Sequence, residues 1–314
     1  MFNIIVSALL PIYVGLLIGY VAGKRGMVDN KNVKTINVML MTFMVPLTMF
    51  IAISRTPREV IMPNLALIIV IGISMLILYM GSLWMQRKYF GLNLSEGVVQ
   101  SLTIAFPNYA SIGIPLMLPL YGDQAALLVA IAIAAGSIFV TPIALAQLRM
   151  GTSSPGTQVS VGHEFLKGLA GAVKTPVFFL PVLGLIWAIL GIPMPAIVGT
   201  AFGPITMATG GVGLFLTGLL LSAQSIKIDS NVTWSTVLGN VVQPFLTFGI
   251  ALAMGIDHET TVRAVILMAI PSAFFGLVFG ATVNVRPAVS GATLLVSSVA
   301  GILTLSFFIG WLVP

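Results

Sequence analysis

Cysteine is absent from this chain, which excludes disulfides, thiolate zinc sites and cysteine nucleophiles. Charge is scarce as well. Asp, Glu, Lys and Arg make up 7% of the 314 residues, against about 25% in an ordinary soluble domain. The 2 histidines, His163 and His258, are read as loop residues. There is no HExxH motif, no pair of aspartates inside an apolar run and no serine with a histidine in reach. A membrane-embedded enzyme is therefore not expected. Ionisable residues within apolar spans normally mark proton relays and ion paths. Here every Lys, Arg, Asp and Glu falls in a loop or at the end of a span. A buried carboxylate relay is not expected either.

What fills the sequence is hydrocarbon. Hydrophobic residues make up 58% of it, in runs that follow one another almost end to end. That pattern predicts an all-α polytopic protein of the lipid bilayer. Ten transmembrane helices fit best, near 2–23, 34–53, 63–85, 97–119, 124–148, 176–191, 196–222, 233–254, 261–282 and 288–312. The first lacks a basic n-region and is followed by Lys24-Arg25, so it reads as a retained span, not a cleaved signal. Residues 1–150 then form one five-helix half and 176–314 the other. Between them, 151–175 is a hydrophilic linker whose stretch HEFLKGLAGAVK predicts a short amphipathic surface helix.

Loop charge sets the orientation. With loops assigned alternately to two sides, only Arg55, Arg58 and Arg263 of the 14 Lys and Arg fall on one of them. The positive-inside rule puts the other side, with the central loop, in the cytoplasm and both termini outside the cell (inner) membrane. The net charge of +6 is thus explained by topology, and no nucleic-acid partner is expected. Five spans per half make the second half enter from the opposite side, so the halves form an inverted repeat.

Two proline-interrupted stretches carry the functional signal. Val98 to Leu120 reads VVQSLTIAFPNYASIGIPLMLPL, and Val262 to Val283 reads VRAVILMAIPSAFFGLVFGATV. Pro107 and Pro271 each fall near the middle of a span. A mid-helix proline removes a donor and clashes with the preceding turn, costing roughly 3 kcal/mol. In hydrocarbon the freed carbonyls need other partners, so such breaks persist against protein or a wet cavity. Matched interruptions in two halves are the best sequence pointer to a transporter's binding site.

The broken helices point to an anion. A helix restarting in mid-membrane offers free N-terminal amides and a positive dipole end. Asn108 after Pro107 is placed either as a donor to a carboxylate or as the cap of its own half-helix. Tyr109 and Ser111 lie on the same restart, and Ser272 follows Pro271. Gln100 and Thr103, ahead of the first break, and Asn240 and Gln243, just before Pro244, either contribute to an ion site or bond between helices. Asn37 and Pro46 either shape a cavity wall or kink their helix. Asp123 reads as a solvated cap. Gly15-x₃-Gly19-x₃-Gly23 and Gly276-x₃-Gly280 predict close helix approach, and Gly210-Gly211-x-Gly213 either that or a flexible point.

The stretch FPNYASIGIPL around Pro107 and Asn108, MVPLTMF in the second span and the proline of the ninth resemble the auxin efflux carrier family. That family includes bacterial malonate and malate permeases and the plant PIN-type auxin exporters. The resemblance implies two inverted five-helix repeats related to the bile-acid/sodium symporters, with broken helices four and nine crossing at their prolines. Spans one, two, six and seven would form a scaffold, and the others a moving core. It also implies a homodimer and an anionic substrate bound beside Pro107, Asn108 and Pro271. The long loop and the intramembrane aspartate of the plant members are missing, which argues against auxin itself. The expected activity is alternating-access transport of a small organic carboxylate, a malonate- or malate-type dicarboxylate before others. The alternatives are another organic anion such as an auxin-like aromatic acid, or an anion channel or sensor. No cofactor is expected. Coupling to sodium or to protons is left open, since a monoprotonated dicarboxylate would carry its own proton.

Overall fold

A bilayer offers no water to bond a bare backbone, so an apolar chain must bond its amides internally, and a helix does so within one segment. A computed structural model of the protein describes residues 2–30, 33–55, 57, 58, 64–152, 174–223, 227–285 and 287–313. The expected amphipathic stretch of the linker, Lys174 apart, lies outside them, as does His163. Described residues are helical throughout, with one isolated β-bridge. Six helical segments among them are long and apolar enough to cross a membrane: Lys34–Ile51, Ala66–Lys88, Tyr109–Phe139, Ala196–Ser222, Ser230–Ala253 and Ala288–Leu312. The molecule is a multi-pass helical membrane protein.

In chain order the α-helices are α1 (Phe2–Lys24), α2 (Lys34–Val38), α3 (Val45–Ser54), α4 (Leu65–Lys88), α5 (Leu94–Ala105), α6 (Ile114–Tyr121), α7 (Ala125–Phe139) and α8 (Thr141–Thr152). They continue as α9 (Pro176–Ile189), α10 (Ala196–Ser222), α11 (Ser230–Val237), α12 (Gln243–Ala253), α13 (His258–Met268), α14 (Phe275–Thr282) and α15 (Ala288–Leu312). Three wider π-helical turns, Met39–Met44, Tyr109–Gly113 and Leu238–Val242, lead into α3, α6 and α12. Each is followed by a proline at the second residue of the next helix: Pro46, Pro115 and Pro244. A proline ring clashes with the carbonyl four residues back. Widening the turn ahead of it moves that carbonyl away.

The few polar residues at helix starts have a plain role. Asn93 accepts from the Glu96 amide at 2.9 Å while Glu96 accepts from the Asn93 amide, a capping box that opens α5. Asp229 caps α11 through the Val232 amide at 2.8 Å, and Asp257 caps α13 through that of Thr260 at 2.9 Å. His258, expected in a loop, is thereby the first residue of α13. The span expected to run unbroken over 124–148 is interrupted at Val140, between α7 and α8. Pro142 lacks the donor that would continue α7, and the Gly136 carbonyl at the end of that helix accepts from both the Val140 amide and the Thr141 hydroxyl, each at 3.1 Å.

Two compact units emerge, each drawn from both halves of the sequence. The first comprises Met1–Ile68, Tyr109–Ala134 and Val173–Ala223. There α1 lies backbone to backbone on α10. A β-carbon on Gly19 would overlap the Phe215 carbonyl, one on Gly218 the Leu16 carbonyl, and one on Gly23 the Ser222 hydroxyl. The glycine ladder of α1 is therefore a packing seam. Thr48 and Thr209 join α3 to α10 by a hydroxyl pair at 2.8 Å.

The second unit comprises Ile69–Asn108, Ala135–Ala172 and Gln224–Pro314. Its core is built around α5, of which Gly97 to Ala105 are all buried. Buried polar pairs stitch its helices together: Ser74 to Thr247 at 2.6 Å, Tyr79 to Gln147 at 2.5 Å, and Gln86 to Asn231 at 2.8 Å. A polar side chain in hydrocarbon must find such a partner, and the bond then fixes which helices are neighbours.

Candidate functional site

In the second unit two helices stop in mid-course. The α5 helix ends at Ala105, ahead of Pro107, and α13 ends at Met268, ahead of Pro271. The freed chains are extended and run antiparallel, with Pro107 opposite Ser272. The Asn108 amide donates to the Pro271 carbonyl at 2.9 Å, and the Ala273 amide to the Phe106 carbonyl at 2.8 Å. Those are the bonds an antiparallel pair forms on either side of a non-bonded position. Pro107 occupies that non-bonded position, so its missing N–H leaves no gap in the ladder. The Phe106 and Phe275 rings stack beside the crossing at 5.7 Å.

Ser272 carries the amide that points away from the pair, and it donates to Ser297 Oγ at 2.9 Å. Ser297 Oγ donates to Asn240 Oδ1 at 2.5 Å, and Asn240 Nδ2 returns a bond to the Ser297 carbonyl at 2.9 Å. Gln243 Nε2 donates to the carbonyl of Ala105, the last residue of α5, at 2.7 Å. Asn240 and Gln243 therefore serve the broken backbone. Gln100 Nε2 bonds Ser235 and Thr293, each at 2.9 Å, and its oxygen accepts from Ser290 at 2.7 Å. Thr103 donates to the Val99 carbonyl one turn back, at 3.0 Å, and a β-carbon on Gly276 would overlap the Val99 carbonyl. The Gly276 spacing thus brings α14 against α5.

Pro107, Asn108, Pro271 and Ser272 are adjacent and buried at this pairing, Asn108 at 1% exposure. Ser272 Oγ is buried and makes no hydrogen bond. Tyr109 and Ser111 belong to the first unit. There Ser111 is fully buried and accepts from Thr217 at 3.0 Å, and Gly213 packs on it. Ser297 was not singled out in the sequence. Its only signal there is a serine pair, Ser297-Ser298, in a last helix that also carries Ser290, Thr293, Thr304 and Ser306.

No charged side chain stands in either extended segment. The electrostatics come from the backbone. A helix start carries a positive dipole end, and α14 begins two residues after Ala273. Both restarted half-helices close on a left-handed residue, Gly122 at φ 55° and Asn284 at φ 60°. That region is open to glycine and tolerated by asparagine, so each half-helix stops sharply at its polar exit.

Paired broken helices in an apolar helical chain define the class, a membrane transporter. The chain belongs to the Membrane transport protein family, which it matches over residues 4–309, and is auxin efflux carrier-like. It is 27% identical over 311 residues to the uncharacterized transporter YfdV of Escherichia coli K12, across 98% of both chains. The YfdV protein of Shigella flexneri matches at the same identity and coverage. Auxin efflux carrier component 8 of Arabidopsis thaliana is 22% identical across 90% of both chains.

Proposed function

We propose that the protein is a secondary transporter for a small organic carboxylate, of malonate or malate type, that works by alternating access at the crossing of its broken helices. The observation that carries this reading is the antiparallel pairing of Phe106-Pro107-Asn108 with Pro271-Ser272-Ala273. It supports a fixed, uncharged site where the short polar side chains of Asn108 and Ser272, not basic residues, receive an anion. In this proposal the protein is no enzyme, and ten spans form two inverted five-helix repeats with termini outside and the central loop cytoplasmic. It works in the lipid bilayer as a homodimer, needs no cofactor and couples to sodium or to a proton borne by the substrate.

Asn108→Ala tests the site. The crossing uses the main-chain amide of Asn108, which alanine keeps, so the pairing survives the substitution. In proteoliposomes the KM for labelled malonate should rise at least about tenfold, equivalent to about 1.4 kcal/mol, with thermal stability unchanged. An unchanged KM removes Asn108 from the site. Saturable uptake without unitary currents distinguishes a carrier from the channel alternative, and competition by an aromatic acid alone points to an auxin-like substrate.

A further inference from the structure

The first unit holds a cavity of about 870 Å³ bounded by α3, α6 with the turn that follows it, and α10. Cavities of this size suit small ligands. Thr48, Gln124 and Thr206 give it hydrogen-bonding groups, Asp123 one negative charge, and Arg55, directly after α3, its one positive charge among the described lining residues. Arg55 also lines an adjoining cavity of about 540 Å³ together with Arg58. An arginine at the end of a helix ordinarily serves the helix dipole by turning back on the last carbonyls. Arg55 does not. Its guanidinium reaches α10, where a β-carbon on Gly199 would overlap its nitrogens. Glycine at 199, on α10 N-terminal to the cavity-lining Thr206, Met207, Gly210 and Gly211, leaves room for the guanidinium beside the helix, and Arg55 remains solvent-exposed.

We infer that Arg55 is an anion-recruiting residue: the cavity of the first unit is a separate binding site for a small carboxylate, held by the Arg55 guanidinium and oriented by Asp123. This rests on the reading of the protein as an organic-anion carrier. Guanidinium is permanently charged and its planar fork matches a carboxylate with two parallel hydrogen bonds. The lone carboxylate of Asp123 disfavours a second negative group at the other end, which fits a monoanion such as hydrogen malonate.

The test is phenylglyoxal modification of the purified full chain in detergent, with the rate at Arg55 read by peptide mass spectrometry. Malonate, at a pH acid enough to keep it singly protonated, should slow Arg55 modification several-fold beyond chloride at equal ionic strength, while the exposed Arg87 on α4 is unaffected. Gly199→Ala should abolish the protection, because the far end of the arginine moves aside more easily than the helix does. Absence of protection by any mono- or dicarboxylate overturns the inference. So does protection conferred only by phosphatidylglycerol in nanodiscs, which would make Arg55 a lipid headgroup site. Malonate counterflow run in parallel separates the two readings. Protection without counterflow keeps the anion site and removes the carrier; counterflow without protection keeps the carrier and removes the anion site.

Discussion

At Gln243 a single side chain decides whether a broken helix is affordable in the membrane. Its amide covers the Ala105 carbonyl that the break leaves open. Gln243→Leu keeps the volume and orphans a buried acceptor, so the protein should lose about 1–3 kcal/mol of stability, read as a lower melting temperature in detergent. An unchanged melting temperature would mean that the carbonyl has another partner. Asp257 makes a prediction with a sign in pH. Hydrogen bonding from the Thr260 amide, and secondarily its side chain, holds this carboxyl below its ordinary 3.8. A depressed carboxyl adds stability above its unfolded pKa and loses it as pH falls through the folded one. Wild type should therefore melt above Asp257→Ala by a constant margin from neutrality to about pH 5. The margin should shrink only at pH values below 3.8. A margin that narrows already between pH 7 and 5 contradicts the cap.

Among the helices, the breaks were legible and their upholstery was not. A proline in mid-span, in each half, announces an interruption on steric grounds alone, and α5 and α13 stop where Pro107 and Pro271 require. The π-turns before Pro46, Pro115 and Pro244 follow from the same clash, yet a proline such as Pro204 sits inside the unbroken α10. Proline therefore does not by itself decide between a wide turn and a bend. Close approach was readable from glycine spacing, but not which helix approaches. Gly276 lies on the backbone of α5, whereas Gly81 of α4 has nothing within 4 Å of its would-be β-carbon. Gly276→Val should separate α14 from α5 and abolish transport, and Gly81→Ala should leave transport at wild-type rates. Equal activity of both variants would show that the crossing tolerates that separation.

Over the whole molecule, composition alone establishes a multi-pass helical protein, because 7% charge in 314 residues leaves no other solvent than lipid. The two compact units were out of reach of such reasoning. Each takes segments from both sequence halves, and the bonds that select neighbours, such as Gln100 to Thr293 or Asn240 to Ser297, join residues 193 and 57 positions apart. Arg55 was legible only as a loop cation, since its cavity is closed by residues far along the chain, such as Asp123 and Thr206. Transport of a carboxylate through the crossing is the central claim, and counterflow tests it most directly. Proteoliposomes are preloaded with unlabelled mono- or dicarboxylates, and labelled malonate is supplied outside. Transient accumulation of label against its gradient, with internal malonate or malate and not with acetate, is the predicted result. No accumulation with any internal carboxylate, from protein that is folded and correctly inserted, contradicts it.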